Sequence, residues 1–545
     1  MRDGFVAVAA GTPKVRVADC VYNGDQTIAM IKEAAERGVK LLVLPELGLT
    51  GYTCGDLFFQ STLLNGAEAA LARILEATQE LELVFLVGLP VRAGGLLFNC
   101  AAVCQRGEIL GMVPKTHNSP EERRWFAVPP METTGLELCG QTVPFGTKLL
   151  FCCAELPEFV LGAEICQDLW VTTPPSGDLA AAGATVLCNL AASPEAVGKA
   201  AYRRQLVCSQ SARAAAAYLF AGAGEGESTS DRIYGGHDLI AENGVVLAEQ
   251  RFESGLLVTE IDVHRLEQER RRLQNVNSGW SEDYEMLDFH WTLEETKLTR
   301  PVAPMPFVPS EEAARKDTLE EILTVAALGL KRRLEHTGAK TAVIGLSGGL
   351  DSTLALLTTV RAMDMLGRDR KDILAVTMPC FGTTDRTRSN AELLAERCGC
   401  SFRTVPIGES VRSHFADIGQ SMDNHDVTFE NAQARERTQV LMDVANQQGG
   451  LVIGTGDLSE LALGWATYNG DHMSMYGVNG AIPKTLMRHL VNHVARGTGD
   501  AALAAVLDDI LDTPVSPELL PAVDGKIAQK TEDLVGPYAL HDFYP

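Results

Sequence analysis

Three polar residues stand just after apolar runs in the first half of the chain, and their types suit acyl transfer. Glu46 follows LLVLP, Lys115 follows GMVP, and Cys166 follows LGAEI. A cysteine nucleophile needs a base to take its proton and a cation to hold the oxyanion of the tetrahedral intermediate. Glu46 and Lys115 suit those two roles. Taken singly, a cysteine among thirteen is usually an inert core residue, and a glutamate after a strand is usually a solvated loop charge.

A second candidate site is the stretch GLSGGLDS between an apolar run and a helical stretch. It consists of Gly345, Leu346, Ser347, Gly348, Gly349, Leu350, Asp351 and Ser352. The paired glycines allow a tight turn close to a ligand, and the N-terminus of the following helix adds N–H donors for phosphate oxygens. The stretch has no lysine, so it is not a Walker A loop, and a Gly-Gly pair alone is usually only a turn. Because a carboxylate repels polyphosphate, Asp351 implies a bridging magnesium ion.

The stretch GTGDLSELALGWATYNGDHMSMYGV, residues 454–478, follows another apolar run and is dense in Gly, Thr, Asp and Glu. Its ordinary interpretation is a strand followed by an amphipathic helix. The density of polar and small residues directly after the apolar run favours a ligand site instead.

The elements that position these residues follow from the apolar runs. Before residue 292, runs such as VKLLVLPE, LELVFLVGLP and TVLCNLAAS alternate with helical stretches and with two hairpins at QRGE and AENG, which predicts buried strands and antiparallel sheet. After residue 318, TAVIGLSGG, DILAVTMP, SFRTVPI and GGLVIGTGD are separated by helical stretches. That rhythm is typical of a parallel, doubly wound sheet, so the whole chain is predicted to be an α/β protein.

A proline-rich stretch, TRPVAPMPFVPSEE, separates these two patterns of strands and helices. Proline removes a backbone donor and biases the preceding residue toward extended conformations, which is typical of a linker. We therefore predict a first domain over 1–291, a linker over 292–318 and a second domain over 319–545. A chain of 545 residues also exceeds what one hydrophobic core usually serves.

Composition and charge restrict the class of protein. Hydrophobic residues make up 46% and charged residues 22%, as in ordinary globular enzymes. The net charge of −24 repels phosphate backbones, so no nucleic-acid partner is expected. No apolar run is long enough for a membrane span. Thirteen scattered cysteines, without zinc-ribbon spacing or a signal peptide, predict reduced thiols and a cytoplasmic protein.

The segments around Glu46, Lys115 and Cys166, in this order, resemble the nitrilase superfamily, whose Glu-Lys-Cys triad hydrolyses carbon–nitrogen bonds. The resemblance implies an α-β-β-α sandwich in which Cys166 attacks a glutamine amide, Glu46 acts as general base and acid, and Lys115 stabilises the oxyanion. The segment NLAASPEAVGK is similar to the substrate-binding segment of the glutaminase members, which implies that Ser193 and Lys199 bind glutamine. The loop THNSPEERRWF is shorter than in the family and lacks the tyrosine that would cover glutamine.

The motif SGGLDS resembles the PP-loop ATP pyrophosphatases, which cleave ATP between the α and β phosphates and have a Rossmann-like sheet. The segments NAQARERTQ, GTGDLSELALGWATYNGDHMSMYGV, DTPVSPELLP and KIAQKTEDLVGPY resemble the NAD synthetase family. This resemblance implies that Thr455 and the Ser347 loop bind ATP and that Asp351 and Glu460 bind magnesium. It also implies a deamido-NAD pocket lined by Asn431, Arg435, Glu460, Trp465, Ala466, Thr467, Tyr468, Asp471 and Lys484.

Together the resemblances predict ATP-dependent amidation of deamido-NAD with ammonia taken from glutamine, passed along a shielded route, in an enzyme that forms a homo-oligomer. Members of the family continue past the HDF motif found here at residues 541–543, so either this sequence is a shortened version or its branch is short. A ligase acting on another carboxylate or on a tRNA base remains an alternative, although the acidic charge disfavours tRNA. A non-enzymatic assembly module is the third alternative, and the presence of every reactive residue disfavours it.

Overall fold

The computed structural model describes residues 1–273, 283–310, 312–383, 385–470, 472–513, 519–520 and 531–543. Asp471 and parts of the segments DTPVSPELLP and KIAQKTEDLVGPY lie outside the described residues. The chain divides into two compact units, Met1–Pro301 and Val302–Pro545.

The first unit is built mainly from strands. Its helices are α1 (Cys20–Glu36), α2 (Ser61–Ala77), α3 (Pro175–Ala181), α4 (Lys199–Ala214) and α5 (Val263–Leu273), and short 3-10 helices span Tyr52–Phe59, Glu122–Arg124 and Cys166–Trp170. Its strands are β1 (Phe5–Thr12), β2 (Leu41–Val43), β3 (Val84–Ala93), β4 (Leu96–Gln105), β5 (Glu108–Pro114), β6 (Thr134–Leu138), β7 (Gln141–Phe145), β8 (Leu149–Cys153), β9 (Val160–Ile165), β10 (Val186–Ala191), β11 (Ala217–Gly222), β12 (Asp238–Glu242), β13 (Val245–Gln250), β14 (Gly255–Asp262) and β15 (Glu285–Phe289).

These strands form two sheets, with the orders β14-β1-β2-β3-β4-β5-β7-β6 and β13-β12-β11-β10-β9-β8-β15. The two sheets pack face to face, since Val8 of β1 shares one buried cluster with Leu161 of β9 and Leu219 of β11. Helices α1 and α2 cover the outer face of the first sheet, where Ile31 packs in one cluster with Phe85. Helices α3 and α4 cover the second sheet. The predicted α-β-β-α sandwich is confirmed, and both predicted hairpins are present as β4–β5 and β12–β13.

The buried strands read as continuous apolar runs because both of their faces are covered. In β1, for example, Val6 and Val8 face the core between the sheets, whereas Ala9 faces the layer with α1 and α2. Parallel neighbours β1, β2 and β3, and likewise β9, β10 and β11, end on the same side of their sheets. The residues that follow β2, β9 and β10 therefore collect at one edge.

The second unit is a five-stranded parallel sheet with the order β18-β17-β16-β19-β20. Its strands are β16 (Ala342–Gly345), β17 (Ile373–Thr377), β18 (Ser401–Thr404), β19 (Leu451–Gly454) and β20 (Tyr476–Gly477). Its helices are α6 (Glu312–Thr337), α7 (Leu350–Leu366), α8 (Asp385–Arg397), α9 (Gly408–Ile418), α10 (Val427–Gln448), α11 (Leu458–Leu463), α12 (Lys484–Gly497), α13 (Ala501–Leu511), α14 (Thr531–Val535) and α15 (Tyr538–His541), with a 3-10 turn at Arg370–Asp372.

Helices cover both faces of this sheet. Ile344 of β16 packs with α6, α7 and α12 on one face, whereas its neighbour Val343 packs with α9 and α10 on the other. The predicted doubly wound parallel sheet is therefore confirmed. The chain moves outward from β16 to β17 and β18 and then returns to the other side of β16 as β19, so strand order reverses between β16 and β19. Ligands of such sheets bind at the carboxyl ends of the strands at this reversal.

The described residues of the predicted linker that precede α6, residues 292–310, are irregular. Its first residues hydrogen-bond within the first unit: Thr299 donates to Glu260, and Arg300 pairs with Glu242 at 3.0 Å. All thirteen cysteines are free thiols. Among the described residues, no helix combines the length and apolar character needed to cross a bilayer.

Candidate active sites

The first candidate site is a buried lysine held between two carboxylates. Nζ of Lys115, directly after β5, lies 2.5 Å from Oε1 of Glu46 and 2.6 Å from Oε1 of Glu122. All three side chains are at most 1% exposed. Nδ2 of Asn99 also donates to Glu46 at 2.7 Å. Glu46 and Lys115, which the sequence analysis placed in one site, are in direct contact.

Burial sets the protonation behaviour of this cluster. It raises the pKa of Glu46 to about 7, and the charge of Glu122 adds to the rise while Lys115 opposes it. Burial works to lower the pKa of Lys115, but the surrounding anions outweigh it and hold that pKa above its ordinary value. Lys115 is therefore a permanent cation, while Glu46 exchanges its proton near neutral pH, as a general base and acid must.

Cys166 lies beside this cluster at the start of the 3-10 helix that follows β9. The N–H of Ala192 donates to Oε2 of Glu46 at 2.9 Å and also lowers the pKa of the Cys166 thiol, so the carboxylate and the sulfur lie near the same backbone donor. Burial raises the pKa of the thiol, and the charge of Glu46 raises it further while Lys115 opposes the rise. The resting form is a neutral thiol, which needs a neighbouring base before it can attack.

The backbone of Cys166 is held in an uncommon conformation. Its φ of +42° lies in the left-handed region, which residues with a Cβ rarely adopt. Its N–H donates to Oδ1 of Asn189 at 2.9 Å. Asp168 in the same turn accepts from the N–H of Ile165 at 3.0 Å and from the N–H of His117 at 2.7 Å. Asp168 thereby ties the cysteine turn to the loop that follows Lys115.

The two residues predicted to bind glutamine lie between β10 and α4, with Ser193 shortly after β10 and Lys199 as the first residue of α4. Oγ of Ser193 accepts a hydrogen bond from the fully buried Arg203 at 3.2 Å. Nζ of Lys199 lies 5.2 Å from the ring centroid of Trp170, which ends the Cys166 turn. Burial and then the charge of Arg203 lower the pKa of Lys199, while Cys166 opposes this.

Tyr52 places a phenol in the electrostatic field of the same site. Burial raises the pKa of Tyr52, and the charges of Glu46, Glu122 and Cys166 raise it further. Its ring centroid lies 6.0 Å from that of Tyr234. The loop after Lys115 has no tyrosine, but the 3-10 helix at Tyr52–Phe59 supplies one to this region.

The second candidate site is the turn between β16 and α7. Gly348 has a φ of +87°, and a Cβ there would lie 2.2 Å from the carbonyl oxygen of Thr387, so only glycine fits. Oγ of Ser347 lies 3.1 Å from Oγ of Ser352 and accepts from the N–H of Gly349 at 3.2 Å. The turn borders a cavity of about 280 Å³ whose lining includes Gly345, Leu346, Ser347, Gly349, Leu350, Asp351, Ser352, Thr455, Glu460, Trp465 and Ala466.

Three carboxylates surround a second buried lysine beside this cavity. Nζ of Lys484, the first residue of α12, lies 2.6 Å from Oδ1 of Asp351, 2.5 Å from Oδ2 of Asp457 and 3.0 Å from Oε1 of Glu460. The carboxylate oxygens lie within 4.8 Å of one another. Burial raises the pKa of Glu460 to about 7, Asp351 adds to the rise, and Lys484 opposes it. Hard oxygen donors at this spacing fit a magnesium ion, and one lysine leaves the cluster with excess negative charge.

The residues implied for the dinucleotide pocket fall into two groups. Thr467 donates to Asn431 at 2.7 Å, and Arg435 donates to the carbonyl oxygen of Tyr468 at 3.1 Å, which ties α10 to the segment after α11. Trp465 and Ala466 line the cavity itself. Tyr468 is 74% exposed, so its ring faces solvent.

The end of the described chain supports the lysine cluster. Asp542 accepts from the hydroxyl of Ser459 and, at 2.8 Å, from the N–H of Thr485. Ser459 in turn accepts from the N–H of Lys484 at 2.9 Å. Asp542 therefore joins the start of α11 to the start of α12.

Comparisons with known proteins agree with this geometry. Residues 5–271 match the carbon-nitrogen hydrolase family, and residues 322–539 match the NAD synthase family. The glutamine-dependent NAD(+) synthetase of Mycobacterium tuberculosis is 42% identical over 563 residues, which cover 99% of this chain and 82% of the relative. That of Mycobacterium leprae is 41% identical over 561 residues, with the same coverage. The chain belongs to the glutamine-dependent NAD(+) synthetase family. A crystal structure of the enzyme from Cytophaga hutchinsonii is 22% identical with a TM-score of 0.43, and the match covers 94% of this chain and 84% of that one.

In this member of the NAD(+) synthetase family, several charged residues of both sites escaped the sequence analysis. They are Glu122, Asp168, Arg203, Asp457 and Asp542. Glu122 and Asp168 lie in the segments THNSPEERRWF and CQDLW, and Asp457 lies in GTGDLSE, so proximity to a predicted residue was the only available signal. A charge in such a segment usually faces solvent, and only the folded chain shows that these are almost fully buried.

Proposed function

We propose that this chain is a glutamine-hydrolysing NAD(+) synthetase that amidates deamido-NAD at the expense of ATP. The observation that carries the proposal is the contact of Lys115 with Glu46 beside the Cys166 thiol, in a chain whose other unit holds a phosphate-binding type of turn next to a carboxylate cluster. The names of the relatives, which are glutamine-dependent NAD(+) synthetases, support the same conclusion.

In the first reaction, Glu46 takes the proton of the Cys166 thiol and Sγ attacks the side-chain amide carbon of glutamine. Lys115 stabilises the oxyanion of the tetrahedral intermediate. Glu46 then gives the proton to the leaving nitrogen. The tetrahedral intermediate breaks its carbon–nitrogen bond, which releases ammonia and leaves a thioester on Cys166. Water, deprotonated by Glu46, hydrolyses the thioester and releases glutamate and the free thiol. Because the thiol is neutral at rest, the rate depends on the proximity of Glu46.

Glutamine itself would be held by Lys199 and Ser193. The ammonium of Lys199 suits the α-carboxylate of the amino acid, and its position over the ring of Trp170, where the charge of Cys166 acts on its pKa, supports that role. The fully buried Arg203 fixes Ser193 in place.

In the second reaction, the nicotinate carboxylate of deamido-NAD attacks the α-phosphorus of ATP and pyrophosphate leaves. The hydroxyls of Ser347 and Ser352 and the N–H groups at the start of α7 would hold the pyrophosphate oxygens. Ammonia then attacks the carbonyl carbon of the acyl-adenylate, AMP leaves with the carboxylate oxygen, and NAD is formed. Magnesium held by Asp351 and Glu460, with Asp457 beside them, would neutralise phosphate charge.

The remaining residues of the second unit would bind the dinucleotide. Thr455 borders the cavity with Trp465 and suits ATP contact, while the hydrogen bond between Thr467 and Asn431 braces a surface for deamido-NAD. A shielded route for ammonia is part of the proposal, because protonated ammonium is a poor nucleophile. A cytoplasmic homo-oligomer remains our prediction, and the thirteen free thiols support a reducing compartment.

The test is a single incubation with glutamine, ATP, magnesium and deamido-NAD. We expect NAD, AMP, pyrophosphate and glutamate in equal amounts. Replacing deamido-NAD by other carboxylates or by tRNA tests the competing acceptors. Glutamate without AMP would refute the synthetase half, and AMP formation only with another acceptor would refute the assigned substrate.

A further inference from the structure

A buried carboxylate stands two residues before the nucleophile in the chain and takes no part in the proposed reactions. Glu164 stands on β9, two residues before Cys166, and is 2% exposed. Its partners are all donors: the hydroxyl of Tyr218, the N–H of Ser176 at 2.8 Å and Nδ2 of Asn189 at 3.4 Å. Three donors around one carboxylate match its ionised form, which only accepts hydrogen bonds.

This carboxylate determines which way the amide of Asn189 points. Because the Tyr218 hydroxyl gives its only hydrogen to Glu164, its oxygen is left to accept from Nδ2 of Asn189 at 3.0 Å. The other end of the amide, Oδ1, then accepts the N–H of Cys166 at 2.9 Å. An amide turned by 180° would set its oxygen against two oxygens and its NH2 group against an N–H. A single direction of donation therefore runs from Cys166 to Glu164.

The donating end of this chain of hydrogen bonds is Cys166, the strained residue of the site. Cys166 holds a φ of +42°, and such a conformation persists only where surrounding contacts impose it. In that conformation the thiol lies near the N–H of Ala192, which donates to Glu46 at 2.9 Å. Loss of the contact at the Cys166 N–H would let the turn relax and would move the sulfur away from its base.

We infer that Glu164 is a positioning residue for the glutaminase reaction. It acts through Tyr218 and Asn189 to hold the Cys166 backbone in the conformation from which the thiol attacks. The inference rests on the proposed function, since it concerns the same nucleophile. A positioning role differs from a purely structural role because loss of Glu164 should then lower only the reactivity of Cys166.

The test replaces the carboxylate without changing its size. In Glu164→Gln, the new NH2 group opposes the Tyr218 hydroxyl and the Asn189 amide if it takes the place of Oε1, and it opposes the N–H of Ser176 if it takes the place of Oε2. In either orientation a donor loses its acceptor, and the chain of hydrogen bonds is disturbed. We expect kcat for glutamine hydrolysis to fall about a hundredfold, because misplacement of a reacting group by about 1 Å costs that much, with little change in KM. Alkylation of Cys166 by iodoacetamide, followed by peptide mass spectrometry, should slow in parallel. NAD synthesis from added ammonium should remain, which also reports that the variant is folded.

Tyr218→Phe supplies a second variant that keeps the aromatic packing, and it carries the test if Glu164→Gln does not fold. It should reproduce the loss of kcat. Because the two residues act in one chain of hydrogen bonds, the kcat of the double variant should be no lower than the kcat of the less active single variant.

Asp238 offers a matched control. It is a fully buried carboxylate on β12 of the same sheet and accepts from Thr12, from the N–H of Gly222 at 2.9 Å and from Gln250 at 2.8 Å. Asp238→Asn should lower the unfolding temperature but keep the glutaminase kcat and the alkylation rate of Cys166.

Wild-type kcat and alkylation in the Glu164 and Tyr218 variants would overturn the inference, as would multiplying losses in the double variant or an equal loss in Asp238→Asn. Failure of the proposed function looks different, because the wild-type protein itself would then release no glutamate from glutamine.

Discussion

Each unit buries a lysine among carboxylates, but the two clusters differ in number and in openness. Lys115 faces two carboxylates, and Lys484 faces three. The side chains around Lys115 are at most 1% exposed, whereas those of Asp351 and Glu460 are 27% and 25% exposed. The first cluster is closed, and the second opens on a cavity.

Under the proposed function, this difference would let one type of cluster serve two chemistries. With all groups ionised, one lysine between two carboxylates leaves one negative charge, which suits a base that must accept a single proton. One lysine among three carboxylates leaves two, and an opening toward the cavity suits a divalent cation with its phosphate ligands. In our proposal the number of carboxylates, more than the lysine, therefore separates the cluster for covalent catalysis from the cluster for metal-assisted phosphoryl chemistry.

The largest expected effect is the loss of one activity of the chain while the other is kept. Cys166→Ala should lower glutamine-supported NAD synthesis by at least about a thousandfold, because no other group forms the thioester. Synthesis from added ammonium should be unchanged, measured as NAD formed per enzyme. Cys153→Ala, another buried cysteine of the same sheet, is the control and should keep both activities. Equal loss of both activities in Cys166→Ala would argue against separate sites.

Removal of divalent cations should affect only the open cluster. With EDTA in place of magnesium, we expect AMP formation to fall about a hundredfold or more, because phosphate charge is no longer neutralised. Hydrolysis of glutamine, followed as glutamate release, should persist since Lys115 supplies the cation of that site. A comparable fall in glutamate release would show that the clusters do not divide in this way.

Changing the carboxylate count of the closed cluster tests the role of its excess charge. Since Glu122 raises the pKa of Glu46, Glu122→Gln should lower that pKa and make Glu46 a weaker base. The base must be deprotonated, so wild-type kcat/KM should fall as pH drops through about 7. In the variant this fall in kcat/KM should occur at lower pH. The kcat should also drop about tenfold, because Glu46 is then a weaker base.

Glu121→Gln is the control for that prediction, because Glu121 is the exposed neighbour that pairs with Arg232. It should leave the pH profile in place. If the fall in kcat/KM stays near pH 7 in Glu122→Gln, that result would contradict the assignment of Glu46 as the titrating base.

The smallest effect concerns the surface beside the open cluster. Thr467→Val removes the hydrogen bond to Asn431 and should raise KM for deamido-NAD about fivefold, the equivalent of one ordinary hydrogen bond. Steady-state kinetics with deamido-NAD varied would measure it. Thr337→Val, which loses only local hydrogen bonds at the end of α6, to the carbonyls of Arg333 and Leu334 and from the N–H of Ala339, should have no effect. An unchanged KM in Thr467→Val would remove this surface from the binding site.

Much of the first site could be predicted because its residues directly follow buried strands. A strand covered on both faces reads as an unbroken apolar run, so its end is visible and the next polar residue stands out. Lys115 and Cys166 directly follow β5 and β9. The turn at Gly348 was visible for a similar reason, since paired glycines mark a close backbone approach between a strand and a helix.

The partners of those residues could not be predicted in the same way. Glu122 and Asp457 lie in polar segments where a charge normally faces water, and Lys484 contacts a carboxylate 133 residues earlier in the chain. Asn189 and Tyr218 lie inside apolar runs, where the sequence does not reveal which polar groups they meet. Their hydrogen bonds depend on which strands are neighbours and in what register.

The sequence by itself determined the two kinds of sheet, because local apolar periodicity carries that information, and through its resemblance to known families it predicted the nucleophile, its base and the phosphate-binding type of turn. Only the tertiary structure decided how many carboxylates surround each lysine, how far each cluster is closed from solvent, and what fixes the Cys166 turn. The physical reason is that charge balance and desolvation depend on contacts between residues far apart in the chain, which sheet order creates and local sequence does not encode.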